Sequence, residues 1–377
     1  MKGKFLGFRL REAREIRNLT LSNLADSLSV SKQAVSQYES GISQPSPDKL
    51  IRLLKILRLP SQYFTKERIF SAEKIGVPNF RKFAAASKSA REEVRTKSLW
   101  FAELIQVLKN YVNFPKLNLP DFDIPDNFKE ISNGMLEDYA LQLRKHWNLG
   151  LGPISNMVRL LENNGIFVAR FSFDDKLDAF SIRIADDSYI ILGNNETTCV
   201  RSRLDAAHEL GHIVLHKNVT EDDQKDPQNH KKIEEQAFRF GAAFLMPMQT
   251  FSKELLSLNN EFLIHLKARW KVSKAAMVKR AFDLGLLTDS QLKYFYRMNS
   301  GKRFREELDD SMPLEEAVLM KKTIEIMIND AGFDKRDLLD LFAFDEKTII
   351  ELLGLQTDFF KVIEDNVINI SVKENGK

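Results

Sequence analysis

Apolar residues recur at helical spacing along most of the chain and at strand spacing in one short stretch. Leu10, Ala13 and Ile16 mark a first amphipathic helix that ends near Asn18, and Leu21, Leu24, Ala25 and Leu28 mark a second, capped by Thr20. After the turn Ser29-Val30-Ser31, Ser31 caps a third helix over 32–40 that points Val35 and Tyr38 inward and Lys32, Gln33, Ser36 and Gln37 outward; Gly41 stops it. A long helix is predicted over 87–112, with Val94, Trp100, Phe101, Leu104, Ile105 and Leu108 on its apolar side, and Lys82, Lys88, Arg91, Arg95 and Lys97 as a solvated basic side. Pro115, Pro120 and Pro125 then punctuate an extended linker. Helices follow over 132–147 and 154–162, the second with Pro153 at its start. Between 166 and 192 the pattern changes: 166–171, 179–184 and 189–192 are β-branched and aromatic runs, read as a small antiparallel meander. From about Arg203 the helical pattern returns and lasts to the C-terminal part, where Asp334 and Asp345 are expected N-caps.

A length of 377 residues calls for several domains. The net charge of +3 is small but uneven: residues 1–65 hold 11 basic and 5 acidic side chains, so the first helices form a basic module suited to a polyanion. The single Cys199 excludes an internal disulfide. The first residues lack a signal-peptide core and no apolar run reaches 18 residues, so a cytoplasmic protein with no membrane partner is expected.

The second and third helices, joined by a tight turn, have the form that a DNA major groove accepts, with Gln and Lys able to bond purine edges. The stretch from Leu24-Ala25 through Ser31, Gln33, Ser36 and Glu39 to Gly41 resembles the Cro/repressor-type (Xre) helix-turn-helix family. That resemblance implies a double-stranded DNA operator as partner, base contacts from Lys32, Gln33, Ser36 and Gln37, and phosphate contacts near Ser43 and Gln44. It also implies an ion pair between Arg14 and Glu39, and it leaves open a homodimer on two half-sites.

A second piece of chemistry lies in Asp205-Ala206-Ala207-His208-Glu209-Leu210-Gly211-His212-Ile213-Val214-Leu215-His216. His208 and His212 stand four apart with Glu209 after the first, the H-E-x-x-H spacing that places two imidazoles on one helix face. A catalytic zinc site needs a third protein ligand and an open position. His216 lies about 12 Å from His208 along a helix, too far to converge on one ion, and is read as a polar residue at the helix end. The metzincin pattern fails because Leu215 stands where it requires glycine. On the next helix Ala237, Gly241 and Ala242 are small at helical spacing and allow a close approach, with Glu234 one turn earlier on that face. Glu234 can serve as a carboxylate ligand there, or Glu234-Glu235 can be a solvated pair. Asp205 is placed either to orient an imidazole or to cap the helix. Arg203, Tyr189 and His146 are conceivable oxyanion donors.

Arg201-x-Arg203-Leu204-Asp205-x-Ala207-His208-Glu209-Leu210-Gly211-His212, followed by Glu234, Ala237, Phe240, Ala242 and Leu245-Met246-Pro247, resembles the ImmA/IrrE family of zincin metallopeptidases. Leu149 to Ile154, Asp178 to Ser181, and 266–273 also fit members that carry an N-terminal Xre domain. Phe238 departs from the family, where many members have Asn or His. The resemblance implies Zn²⁺ held by His208, His212 and Glu234, with Glu235 as the alternative ligand and Glu209 as general base. The expected fold is mainly α with a small antiparallel sheet: an all-α helix-turn-helix domain (1–66), a helical connector and linker (67–128), an α+β zincin-like domain (129–250), a helical support (251–300) and a C-terminal helical region (301–377). The expected function is a DNA-binding regulator with a zinc endopeptidase, active or latent, that cleaves a repressor or other regulatory protein. The alternatives are a transcription factor whose zincin domain senses without hydrolysis, and a phage-defence or toxin–antitoxin component acting by protein contacts.

Overall fold

The computed structural model describes residues 3–80, 87–172, 179–193, 197–299 and 305–361. Lys82, Asp178 and the end of the C-terminal region lie outside them.

Four helices form the N-terminal module: α1 (Gly7–Ile16), α2 (Leu21–Leu28), α3 (Lys32–Glu39) and α4 (Pro47–Leu57). The caps are those expected, with Thr20 Oγ1 accepting from the Asn23 N–H and Ser31 Oγ from that of Ala34. Ser29 adopts a left-handed conformation with φ 53°, which makes the turn between α2 and α3 tight. Arg14 donates to both carboxylate oxygens of Glu39, at 2.6 and 3.0 Å, tying α1 to α3.

The long helix α5 (Lys88–Leu108) is capped by Ser87 and is a scaffold rather than a connector. Arg9 of α1 is buried and forks onto Glu103 of α5 at 2.9 and 3.0 Å. Lys97, expected in solvent, is buried and pairs with Glu93 and with Glu351 near the C-terminus. Burial of that ammonium is tolerated because two carboxylates meet it. Linker residues 113–127 are held rather than free, since the Asn118 N–H donates to the Asn164 carbonyl and Trp147 Nε1–H to that of Asn118.

Next come α6 (Asn133–His146) and α7 (Met157–Asn163). α7 begins later than the Pro153 start predicts. Asn156 is its cap, and the Ile154 carbonyl is taken instead by Arg203 Nη2 at 2.7 Å.

A two-residue strand β1 (Asn79–Phe80) and three longer ones, β2 (Ile166–Phe171), β3 (Ala179–Ile184) and β4 (Asp187–Gly193), form a sheet in the order β1-β3-β4-β2. β3 and β4 form the expected antiparallel hairpin, but β2 runs parallel to β4, so the sheet is mixed and not a meander. The outer edge of β3 is already occupied: β1 pairs with it, and the Gly76 N–H donates to the Arg183 carbonyl at 2.7 Å. β2 completes the sheet on the free side of β4. Both faces are covered, which accounts for nearly continuous burial along every longer strand. One core joins Phe167, Phe171 and Tyr189 to α5, the N-terminal module and the last helices; the other joins Ile166, Val168 and Ile190 to the helices that follow.

Those helices are α8 (Cys199–Leu215), the short α9 (Glu221–Lys225), α10 (Pro227–Leu245), α11 (Met248–Glu254), α12 (Asn260–Trp270), α13 (Lys274–Asp283) and α14 (Asp289–Met298). Leu263, Leu266, Trp270, Val272, Met277 and Val278 are buried and pack in the core that also holds α8 and α10. The segment before α15 (Leu319–Asn329) is strapped to this unit: buried Lys267 meets Asp309, and Arg203 of α8 meets Glu315. α16 (Lys335–Phe342) and α17 (Glu346–Leu353) carry the caps Asp334 and Asp345 and pack back on the N-terminal module. Phe344 there lies 5.5 Å from the Tyr63 ring and 4.8 Å from that of Trp100, and Arg17 pairs with Asp345. Among the described residues no helix is long and apolar enough to cross a membrane.

Candidate metal centre

The centre is assembled by two helices that nearly touch. A Cβ at Gly241 of α10 would come within 2.9 Å of backbone atoms of Ala207 and His208, and one at Gly211 of α8 within 2.9 Å of the Ala237 carbonyl. Only hydrogen on those two α-carbons permits this approach, and it carries Glu234 to the histidines. Among the described residues, His208, His212 and Glu234 are the one group whose ligand atoms gather, all lying within 4.8 Å of each other. The two Nε2 atoms are 3.0 Å apart, and Glu234 places one oxygen 3.2 Å from His208 Nε2 and the other 3.3 Å from His212 Nε2.

These spacings fit zinc. A tetrahedron with ligand bonds of about 2.0–2.1 Å has edges of about 3.3–3.4 Å. Two imidazoles and one carboxylate form the donor set of a catalytic site that keeps a fourth position open. Burial alone would raise the Glu234 pKa, yet the facing His208 and His212 hold it well below the usual carboxylate range. Burial lowers the His212 pKa, against the raising effect of its contact with Glu234.

Glu209 follows His208 on α8 and is 1% exposed, as is His212. Glu235, the alternative ligand, is exposed and lies 3.8 Å from Lys231, away from the histidine pair. His216 falls outside the ligand group and is the C-cap residue of α8, but it does not face solvent. Its ring is buried, with Nδ1 3.0 Å from His212 Nδ1 and Nε2 3.1 Å from Gln236 Oε1, and burial pushes its pKa down to about 3. The i, i+4 spacing that excluded it as a ligand is what places it behind His212. The role of Gln236 was missed, since a lone glutamine on an amphipathic helix carries no signal of its own.

Asp205 does not reach His208: the buried Nδ1 of that ring has no hydrogen-bond partner among the described residues, and the Asp205 carboxylate lies 3.9 Å from Arg201 on the preceding turn. Nor is it the cap, because Thr198 caps α8. The three conceivable oxyanion donors are used elsewhere. Arg203 binds Glu315 and two carbonyls, Tyr189 meets Asp187, and His146 meets Asn118. A cleft of about 870 Å³ opens on His208 and Glu234, and its donors include Arg201, Lys232, Arg239, Lys279 and Tyr296. Phe238 lines it as well.

On the DNA-binding side, Lys32, Gln33, Ser36 and Gln44 are exposed and Gln37 is half-buried. Ser43 differs from expectation. Its hydroxyl is buried, and its N–H donates to the Gln37 carbonyl, folding the loop back on the end of α3.

Two family models match the chain. Residues 161–282 are similar to the IrrE N-terminal-like domain, and residues 10–64 to a helix-turn-helix domain. No curated protein matches it.

Proposed function

Because one chain joins a helix-turn-helix domain to an IrrE-like domain, the architecture of ImmA/IrrE proteins, we propose that it is a DNA-binding regulator whose zinc endopeptidase cleaves a partner repressor or other regulatory protein. The convergence of His208, His212 and Glu234 beside Glu209 carries this reading. Those three side chains would hold Zn²⁺, which when bound would supply a Lewis acid able to acidify a water near neutral pH and to polarise a peptide carbonyl. Glu209 acts as general base: it takes the water proton and passes it to the leaving amine. A site without turnover has no need of that carboxylate. The substrate backbone enters by the cleft over His208 and Glu234.

The near-complete burial of Glu209 fits an enzyme that is latent, and it equally fits the second reading, a sensor that does not hydrolyse. The two are separated by adding wild type and Glu209→Gln, with zinc content measured, to host lysate. The enzyme reading expects a protein cut only by wild type. No cut by either under any condition, with zinc in both, would leave the sensor.

At the other end, Lys32, Gln33, Ser36 and Gln37 read bases in an operator and Gln44 sits near phosphate, with a homodimer covering two half-sites. Gln33→Ala combined with Gln37→Ala is expected to weaken specific operator binding by about 1–3 kcal/mol for each base-reading side chain removed, with zinc content unchanged. Specific binding equal to wild type in a titration with labelled operator would remove both as readers.

A further inference from the structure

Behind the metal centre runs a hydrogen-bond chain whose polarity can be assigned from its far end. The Gln236 side-chain nitrogen donates to two backbone carbonyls, Phe128 at 2.8 Å and Ile131 at 3.2 Å, ahead of α6. Both amide hydrogens are thereby committed, and the amide oxygen is left as an acceptor facing His216 Nε2 at 3.1 Å. His216 Nε2 therefore bears a proton. In a neutral ring the other nitrogen is then bare, so His216 Nδ1 accepts from His212 Nδ1–H across 3.0 Å. With its proton on Nδ1, His212 presents a lone pair on Nε2, the atom that faces His208 and Glu234. His212, His216 and Gln236 are all buried, so solvent does not compete for these bonds. A reversed chain would turn a Gln236 N–H toward His216 and leave both carbonyls facing the amide oxygen; the bond it would gain, from His212 Nε2–H to Glu234, competes with this order, and in the order assigned here His208 Nε2, 3.2 Å from Glu234, serves that carboxylate instead.

We propose that His216 and Gln236 are positioning residues that fix the tautomer of His212, so that the folded chain offers a metal-ready Nε2 before any ion arrives. The proposal rests on reading His208, His212 and Glu234 as the zinc centre. It also makes the two histidines unequal. His208 has no partner on Nδ1 among the described residues, so its tautomer is free to follow the ion, whereas that of His212 is set by the protein. Partners of this kind behind a ligating imidazole fix ring orientation as well as basicity.

The zinc-free wild type tests this without any substitution. A long-range ¹H–¹⁵N spectrum of the histidine rings is expected to show His212 protonated at Nδ1 and His216 at Nε2. In His216→Phe the His212 proton is expected to move to Nε2 or divide between the two nitrogens, and zinc affinity, read by competition with a chromophoric chelator, to fall about 10- to 100-fold. Gln236→Leu is expected to lower it in the same range. His216→Gln, whose amide can accept from His212 and donate to Gln236, is expected to recover most of the affinity, which a purely space-filling role would not require. Wild type that binds zinc yet shows His212 protonated at Nε2 in the zinc-free chain would overturn the relay alone. So would His216→Phe with wild-type tautomer and affinity. Wild type that binds no zinc, with the His212 proton on Nδ1, would instead overturn the metal-centre reading.

Discussion

Glu234→Ala is expected to strip the chain of zinc. The histidines supply two donors on one helix, and the third crosses from α10 with one oxygen toward each ring, at 3.2 and 3.3 Å. Two imidazoles do not make a closed catalytic set. Loss of the carboxylate should weaken zinc binding by more than about 100-fold, beyond what removing a partner behind a ligand costs. Glu234 is partly exposed at the cleft, so little packing is lost, and the thermal transition of the zinc-free variant should match that of zinc-free wild type. Metal analysis after passage over a chelating resin reads the outcome: about one zinc per chain in wild type, none in the variant. Zinc retained by Glu234→Ala would move the third ligand elsewhere, with Glu235 the nearest carboxylate in sequence.

Arg203→Met is expected to cause the largest loss of stability. Arg203 is buried on the helix that carries the metal ligands, meets the Glu315 carboxylate, and donates to the carbonyls of Lys271 and Ile154. Methionine would leave that carboxylate buried with only the Met157 and Val158 N–H groups, at 2.7 and 3.0 Å. Removing one partner of a buried pair costs about 3–5 kcal/mol. Urea unfolding followed by tryptophan fluorescence should show the loss, and Arg203→Met combined with Glu315→Gln should recover part of it. A loss below about 1 kcal/mol, as for an exposed pair, would mean that the strap carries little of the stability.

Much of this was legible because it is local. Caps at Thr20, Ser31, Asp334 and Asp345 depend on a side chain and an N–H two or three residues on, and three strands announced themselves by composition. The close crossing of α8 and α10 was legible for a related reason: small residues at helical spacing on one face mark where another backbone can approach closely. What escaped depends on partners far along the chain. Nothing near Lys97 points to Glu351, nothing near Arg203 to Glu315, and nothing in β2 shows that residues 74–80 will claim the edge of β3. His216 shows the same limit at short range. Its spacing sets it apart from the ligand group, but its partner Gln236 stands on another helix.

The zinc K-edge absorption spectrum of wild type loaded with one equivalent of metal tests the central claim most directly. The account expects two imidazole nitrogens and one carboxylate oxygen at about 2.0–2.1 Å, with a fourth light atom completing four-coordination. Spectra of Glu209→Gln should keep all three protein ligands, since the account makes Glu209 the base and not a donor to the ion. A wild-type spectrum with fewer than two imidazoles, or a chain that holds no zinc, would contradict it.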